Sequence, residues 1–253
     1  MNYSPLEQFQ IYPILSFIYG ILDFSVTNQT LFLLVLLIFF YLLYNSLMLK
    51  NSNSFTYIPT EVQSLIYLFY RVVLGLTKCN IGGIKSQYFF PIVFFLFFFL
   101  ISMNVSGLIP YSLTITSHII VTLSLALSLY GGTTIIAVRS FGSRIPLLFL
   151  PEGSSFLLGF LIIPIEIISY IFRPLSLAVR LFANIMSGHF LMKVIAGFSY
   201  TLIGCSGILF ILNYMPLMIL FPIYLLETMI AFIQSFVFSL LFCLYINDSI
   251  NLH

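Results

Sequence analysis

IEIISYIFRPLSLAVRLFANIMSGHFLMK, residues 165–193, decides how the rest of the chain is read. Five ionisable residues, Glu166, Arg173, Arg180, His189 and Lys193, interrupt a run of Leu, Ile, Phe, Ala and Val. At the centre of a bilayer each such group costs at least a few kcal/mol, so intramembrane charges point to function. Their spacing is helical. Taking Arg180 as zero and about 100° per residue, Glu166, Ser169, Arg173, Ser176, Asn184 and Ser187 fall within roughly 40° of it. They form one polar stripe about 30 Å long, at a rise of about 1.5 Å per residue. His189 falls on the opposite side, with Lys193 near it. A helix break at Pro174 would scramble this phase, so the stripe predicts one helix across the proline.

Composition sets the surroundings. Of 253 residues, 61% are hydrophobic and only 6% charged, against about 25% charged in soluble domains. The chain therefore reads as an all-α polytopic membrane protein, one membrane domain over 1–253. A net charge of +2 offers nothing to nucleic acid. Cys79, Cys205 and Cys243 are scattered and odd in number, which suggests neither a disulfide framework nor a metal site. No cofactor is expected, and no Gly-rich GK[ST] loop marks a nucleotide site. The first 30 residues carry Glu7 and Asp23 without Lys or Arg, so no cleavable signal is expected.

The elements follow in order. Residues 1–30 read as an exposed or interfacial arm. A span follows over 31–49, with Asn28 or Thr30 able to cap it. Residues 59–77 space Val62, Leu65, Ile66, Phe69, Val72, Val73 and Leu76 at steps of 3–4, as in an amphipathic helix on a membrane surface. Spans follow at 88–109 and 118–138, the latter capped by Ser117. Two longer apolar stretches, 155–200 and 206–247, each reach about 60 Å as helix. A hydrocarbon core of about 30 Å cannot hold them upright. The expected architecture is two or three upright spans, one amphipathic surface helix and two long tilted antiparallel helices. Basic residues concentrate in 50–87 and 139–153, which puts those loops inside, the N-terminal arm outside and the C-terminus inside.

The last stretch carries its own stripe. With Gln234 as zero, Glu227, Tyr245 and Asp248 lie within about 60°. Glu227, in LYLLETMIAFIQ, is another expensive intramembrane acid.

RPLSLAVRLFANIMSGH at 173–189 resembles the signature of subunit a of F-type ATP synthases, in its mitochondrial form. QSLIYLFYRVV, NIGG, the Phe90-Pro91 step, MNVSGLIPYSLTITSHIIVTL and LYINDSINLH extend the similarity over most of the chain. LPEGSSFLLGFLIIP, with Glu152, departs from the family's pattern. The resemblance implies a stator carrying protons through two offset half-channels to and from carboxylates of a c-ring. Its further implied partners are the peripheral-stalk subunit b, other membrane subunits and lipid. The implied location is the mitochondrial inner membrane, with the arm in the intermembrane space and the C-terminus towards the matrix. Arg180 would separate the half-channels, since a guanidinium stays charged at physiological pH and cannot relay a proton. Arg173 reads either as support for the stripe or as a partner in a salt bridge or lipid contact.

In that family the residue matching Arg180 faces the one matching Gln234. Partner numbers in the antiparallel pair should then sum to about 414. This sets Glu166 beside Asp248, Tyr245 near Ser169, and His189 within two residues of Glu227. The inside path would comprise Glu166, Ser169, Ser176, Tyr245 and Asp248. The outside path would comprise Asn184, His189 and Glu227. A membrane subunit of a respiratory proton pump is the rival reading, and a solute carrier a third. The first would want lysines and glutamates spread over several broken helices, the second repeat symmetry about a central pocket.

Overall fold

The structure is a computed structural model that describes residues 9–16, 18–19, 22–51, 61–109, 112–142, 156–203 and 213–250. Of the loop expected at 139–153, residues 139–141 are helical instead, and 143–153 with Glu152 lie outside the described residues, as do the break at 204–207 with Cys205 and the start of the arm.

Six α-helices make up almost all of what is described: α1 (Asn28–Asn51), α2 (Glu61–Asn80), α3 (Lys85–Gly107), α4 (Ile119–Phe141), α5 (Phe156–Ile203) and α6 (Tyr214–Ile250). Helices α3 to α6 are long and apolar enough to cross a membrane, and α1 is apolar over Asn28–Leu42. The chain is an all-α, multi-pass membrane protein. Ahead of α1 the arm folds back on itself. Strand β1 (Pro13–Leu15) pairs with β4 (Val26–Thr27), and β2 (Ile18–Tyr19) with β3 (Leu22–Asp23), both antiparallel. A reciprocal cap joins this ribbon to α1. Thr27 N–H donates to Thr30 Oγ1 at 3.0 Å, and Thr30 N–H donates to Thr27 Oγ1 at 3.4 Å. This is the capping-box arrangement with threonine at both ends.

Helix α2 uses only part of its apolar surface within the chain. Val73 and Thr77 are buried, and Phe69 packs on the core that they join. Leu65, Tyr67, Leu68 and Val72 remain exposed on the other side. Helix α3 stacks phenylalanines along one face, Phe90 on Phe94 and Phe94 on Phe98. The chain turns back through a short 3-10 turn, Ile115–Ser117. Ser117 does not cap α4. Its hydroxyl donates to the Thr114 carbonyl at 2.6 Å, and His118 occupies the cap position without a side-chain cap bond. The 3-10 turn consumes the hydroxyl that the helix start would have used.

Helix α5 is continuous for 48 residues, with Pro164 and Pro174 inside it. It packs on α4 and α6, while α6 also packs on α3, α4 and α2. The inner face of α6 is a helical row of mostly small or polar residues: Glu227, Ala231, Gln234, Ser235, Ser239, Cys243 and Ser249 are buried. Small side chains at such a contact let helix backbones approach closely. Ala178, Leu181 and Ile185 of α5 are buried in return. At one end of the bundle Ser140 of α4 donates to the Ser249 carbonyl of α6 at 2.9 Å. The opposite end holds the α3–α4 turn and the C-terminal half of α5.

Candidate functional site

Three polar contacts run along the α5–α6 pair. Nearest the α4–α6 end, Arg173 Nη1 lies 3.2 Å from Asp248 Oδ2, with both side chains about one-third exposed. In the middle, Asn184 Nδ2 donates to Gln234 Oε1 at 3.2 Å. Towards the far end, His189 Nε2 stands 3.5 Å from Glu227 Oε1, and both side chains are almost fully buried.

These contacts set the register of the hairpin. Their partner numbers sum to 421, 418 and 416, against the 414 expected from an Arg180–Gln234 anchor. Three sequence-based pairings change as a result. Asp248 pairs with Arg173 rather than Glu166. Gln234 receives its hydrogen bond from Asn184 rather than Arg180. Tyr245, expected near Ser169, instead lies under Arg173, ring centroid to guanidinium carbon 5.7 Å. The physical reason is geometric. The sums drift along the pair, and one anchor pair cannot set the register over a hairpin this long.

The polar stripe on α5 lies along the margin of the α5–α6 contact. Arg173 and Asn184 are half-buried against α6, and Glu166 is also half-buried. Ser169, Ser176, Arg180 and Ser187 are exposed along the same margin. Around them Phe172, Leu175 and Val179 are exposed too. Arg180 thus stands exposed at the middle of α5, at the edge of the α5–α6 contact. The nearby serines spend their hydroxyls locally: Ser169 donates to the Glu166 carbonyl and Ser187 to that of Asn184. About 10 Å of helix separates Arg180 from Arg173, and about 13 Å separates it from His189.

The buried end is closely fitted. Gly188 lies against Glu227, and a Cβ built on that glycine would stand 2.7 Å from Glu227 Oε1 and 2.8 Å from its carboxyl carbon. Only the bare glycine backbone lets the carboxyl group lie there. His189 Nε2, both Glu227 carboxyl oxygens, Gln234 Nε2 and Asn104 Oδ1 are buried without a protein hydrogen-bond partner. Asn104, from α3, donates through Nδ2 to the Ala231 carbonyl at 3.4 Å. It therefore stands between Glu227 and Gln234 along α6. Such a row of unsatisfied buried atoms is the kind of surface that holds ordered water. A cavity of about 620 Å³ reaches His189, walled by Leu108, Ile109, Ser112 and Leu113 on one side. Met192, Lys193, Leu220 and Tyr224 close the other.

Sequence reasoning missed four residues here. Asn104 sits alone as an amide in FFFLISMNVSG, and that isolation was the available signal. Gly188 beside His189 carried no mark of its close approach. Tyr130 and Tyr170, which stand by Arg173, look like ordinary span aromatics.

The architecture and these contacts define a class: a helical membrane subunit with a buried histidine–acid contact at one end, a half-exposed arginine–acid contact at the other, and an exposed arginine between. Over residues 14–247 the chain matches the family model described as ATP synthase A chain. ATP synthase subunit a of Pylaiella littoralis is 47% identical over 250 residues, 99% of either chain. That of Marchantia polymorpha is 41% identical over 255 residues, 100% of both. The Brassica napus protein is 41% identical over 254 residues, 99% of this chain and 97% of the relative. The chain belongs to the ATP synthase subunit a family.

Proposed function

We propose that this protein is the proton-conducting stator of a rotary ATP synthase, working through two half-channels that Arg180 keeps apart. The observation that carries the reading is the exposure of Arg180 at mid-helix, with a different acid contact on either side of it. An arginine exposed at that depth needs a partner from another chain. A ring of c subunits bearing carboxylates supplies one in turn. A fixed cation beside a carboxyl group favours its ionised form, so each arriving carboxyl releases its proton there. The same cation bars a direct hop from one path to the other.

Protons enter from the intermembrane space at the 620 Å³ cavity, pass His189 and Glu227, and reach the ring near Asn184. Asn104 and Gln234 hold water along that route. After nearly a full turn of the ring they leave towards the matrix past Ser176, Ser169, Tyr245, Glu166 and Asp248. Helices of about 72 Å and 55 Å, for α5 and α6, lie tilted in the inner mitochondrial membrane rather than upright. Their small exposed residues, Ser176, Ala183 and Ser187, allow ring helices to pass closely. Subunit b and further membrane subunits cover other faces.

Arg180→Ala and Arg180→Lys test this in vesicles containing the whole complex. Both variants assemble and lose ATP-driven pumping and proton-driven synthesis. Arg180→Ala additionally leaks protons passively. Pumping near the wild-type level in either variant would show that Arg180 is not the separator.

A further inference from the structure

Two arginines share the α5 stripe, and the structure treats them differently. Arg180 is exposed. Arg173, two turns earlier, is one-third exposed and is contacted by three groups, with a fourth behind them. Asp248 takes one edge of its guanidinium at 3.2 Å. The ring of Tyr170 lies 5.9 Å from the guanidinium carbon, and that of Tyr245 lies 5.7 Å away. Both are within the range of cation–π attraction. Tyr130, from α4, braces the two rings, 4.7 Å from Tyr170 and edge-on to Tyr245 at 5.9 Å. Three helices thus contribute to one box.

A carboxylate moving along an unmasked stripe would meet two positive charges about 10 Å apart. The earlier one would compete for it and hold it away from Arg180. From the geometry we infer that Tyr130 and Tyr170 are positioning residues. With Tyr245 and Asp248 they mask Arg173, leaving Arg180 as the one cation on the stripe open to a passing carboxylate. Asp248 neutralises the charge, and the rings cover its faces and hold the planar group in place. Tyr130 contributes from behind, by fixing the angle between the two rings. This inference rests on the stator reading.

Epistasis in the assembled complex tests it. Tyr170→Leu and Tyr130→Leu keep apolar bulk but remove the ring faces. In vesicles each lowers ATP-driven pumping roughly fivefold, whereas Tyr170→Phe retains most of it, because a phenyl face still attracts a cation. Adding Arg173→Gln to either leucine variant restores pumping towards the level of Arg173→Gln alone, since there is no longer a second cation to mask. Three results would overturn the inference: leucine variants that pump normally, a loss that Arg173→Gln does not relieve, or a loss of assembly that Arg173→Gln does not repair. The last two would make the rings a packing device. The Arg180 variants separate this from failure of the stator reading. If they stay dead while Arg173→Gln rescues nothing, the box alone falls.

Discussion

The two ends of the α5–α6 hairpin hold an acid by opposite means. At one end Glu227 and His189 are sealed in the bundle, their polar atoms unpaired, with the glycine backbone of residue 188 as the wall of the pocket. At the other, Asp248 and Arg173 sit at the margin, one-third exposed and already satisfied by each other and by two tyrosine rings. A sealed, unsatisfied pair is sensitive to each atom around it, because burial makes unmet polar groups costly. A half-exposed, satisfied pair tolerates change, because solvent screens it. The hairpin therefore has one end built for fine placement and one built for release, and substitutions should report the difference.

The largest effect belongs to the sealed end. Glu227→Gln keeps size and much of the polarity but removes the carboxyl group proposed to exchange a proton. Proton flux in reconstituted vesicles falls about 100-fold or more, the low end of what a positioned proton-transfer group contributes. Blue-native gels show a complex of normal size. Flux within about twofold of wild type would mean that the carboxyl group only fills space there.

Gly188→Ala tests the fit of that end without touching a titratable group. The new methyl would sit 2.7 Å from Glu227 Oε1 and 2.8 Å from its carboxyl carbon, so the buried carboxyl group must shift. Overpacking of this kind costs about 1–3 kcal/mol. A displacement near 1 Å at a reacting group lowers rate by up to about 100-fold. Flux falls about tenfold, less than in Glu227→Gln because the acid survives out of place. An unchanged rate would show that the pocket can relax and that the close approach is incidental.

Much of this was legible in the sequence, and what was not has definite causes. Helices declared themselves through long apolar runs, and the Arg180 stripe through its 3–4 spacing. Both depend on local periodicity, which sequence carries directly. Continuity of α5 across Pro174 followed from the phase of the same stripe. The register of α5 against α6 did not follow, because it depends on tertiary packing along a long contact rather than on local periodicity. An anchor of Arg180 on Gln234 therefore misplaced Asp248 by two turns of α5, from Arg173 to Glu166. Helix α4 posed the same problem. Tyr130 enters the site only because α4 packs on both α5 and α6, and nothing in LSLYGGTT distinguishes it from a lipid-facing tyrosine. The small ribbon at 13–27 lay below what a mixed, proline-containing arm announces.

The smallest effect is expected at the release end. Asp248→Asn removes one partner of a pair whose side chains are 33% and 38% exposed. Pairs this open are worth about 0–1 kcal/mol, so thermal stability of the complex changes little. The shift that remains narrows further in high salt, where exposed charges are screened beyond about 3 Å at 1 M. Flux falls by no more than about tenfold, because Arg173 loses its neutralising partner but keeps both rings. Arg173→Gln in the same chain recovers part of that loss. The mirror experiment at the sealed end gives the opposite pattern: removing His189 does nothing to restore Glu227→Gln, because both groups lie on the proposed proton path and neither masks the other. If Asp248→Asn instead matched Glu227→Gln in severity and ignored salt, the release end would be as finely placed as the sealed one, and the contrast between them would collapse into two copies of the same device.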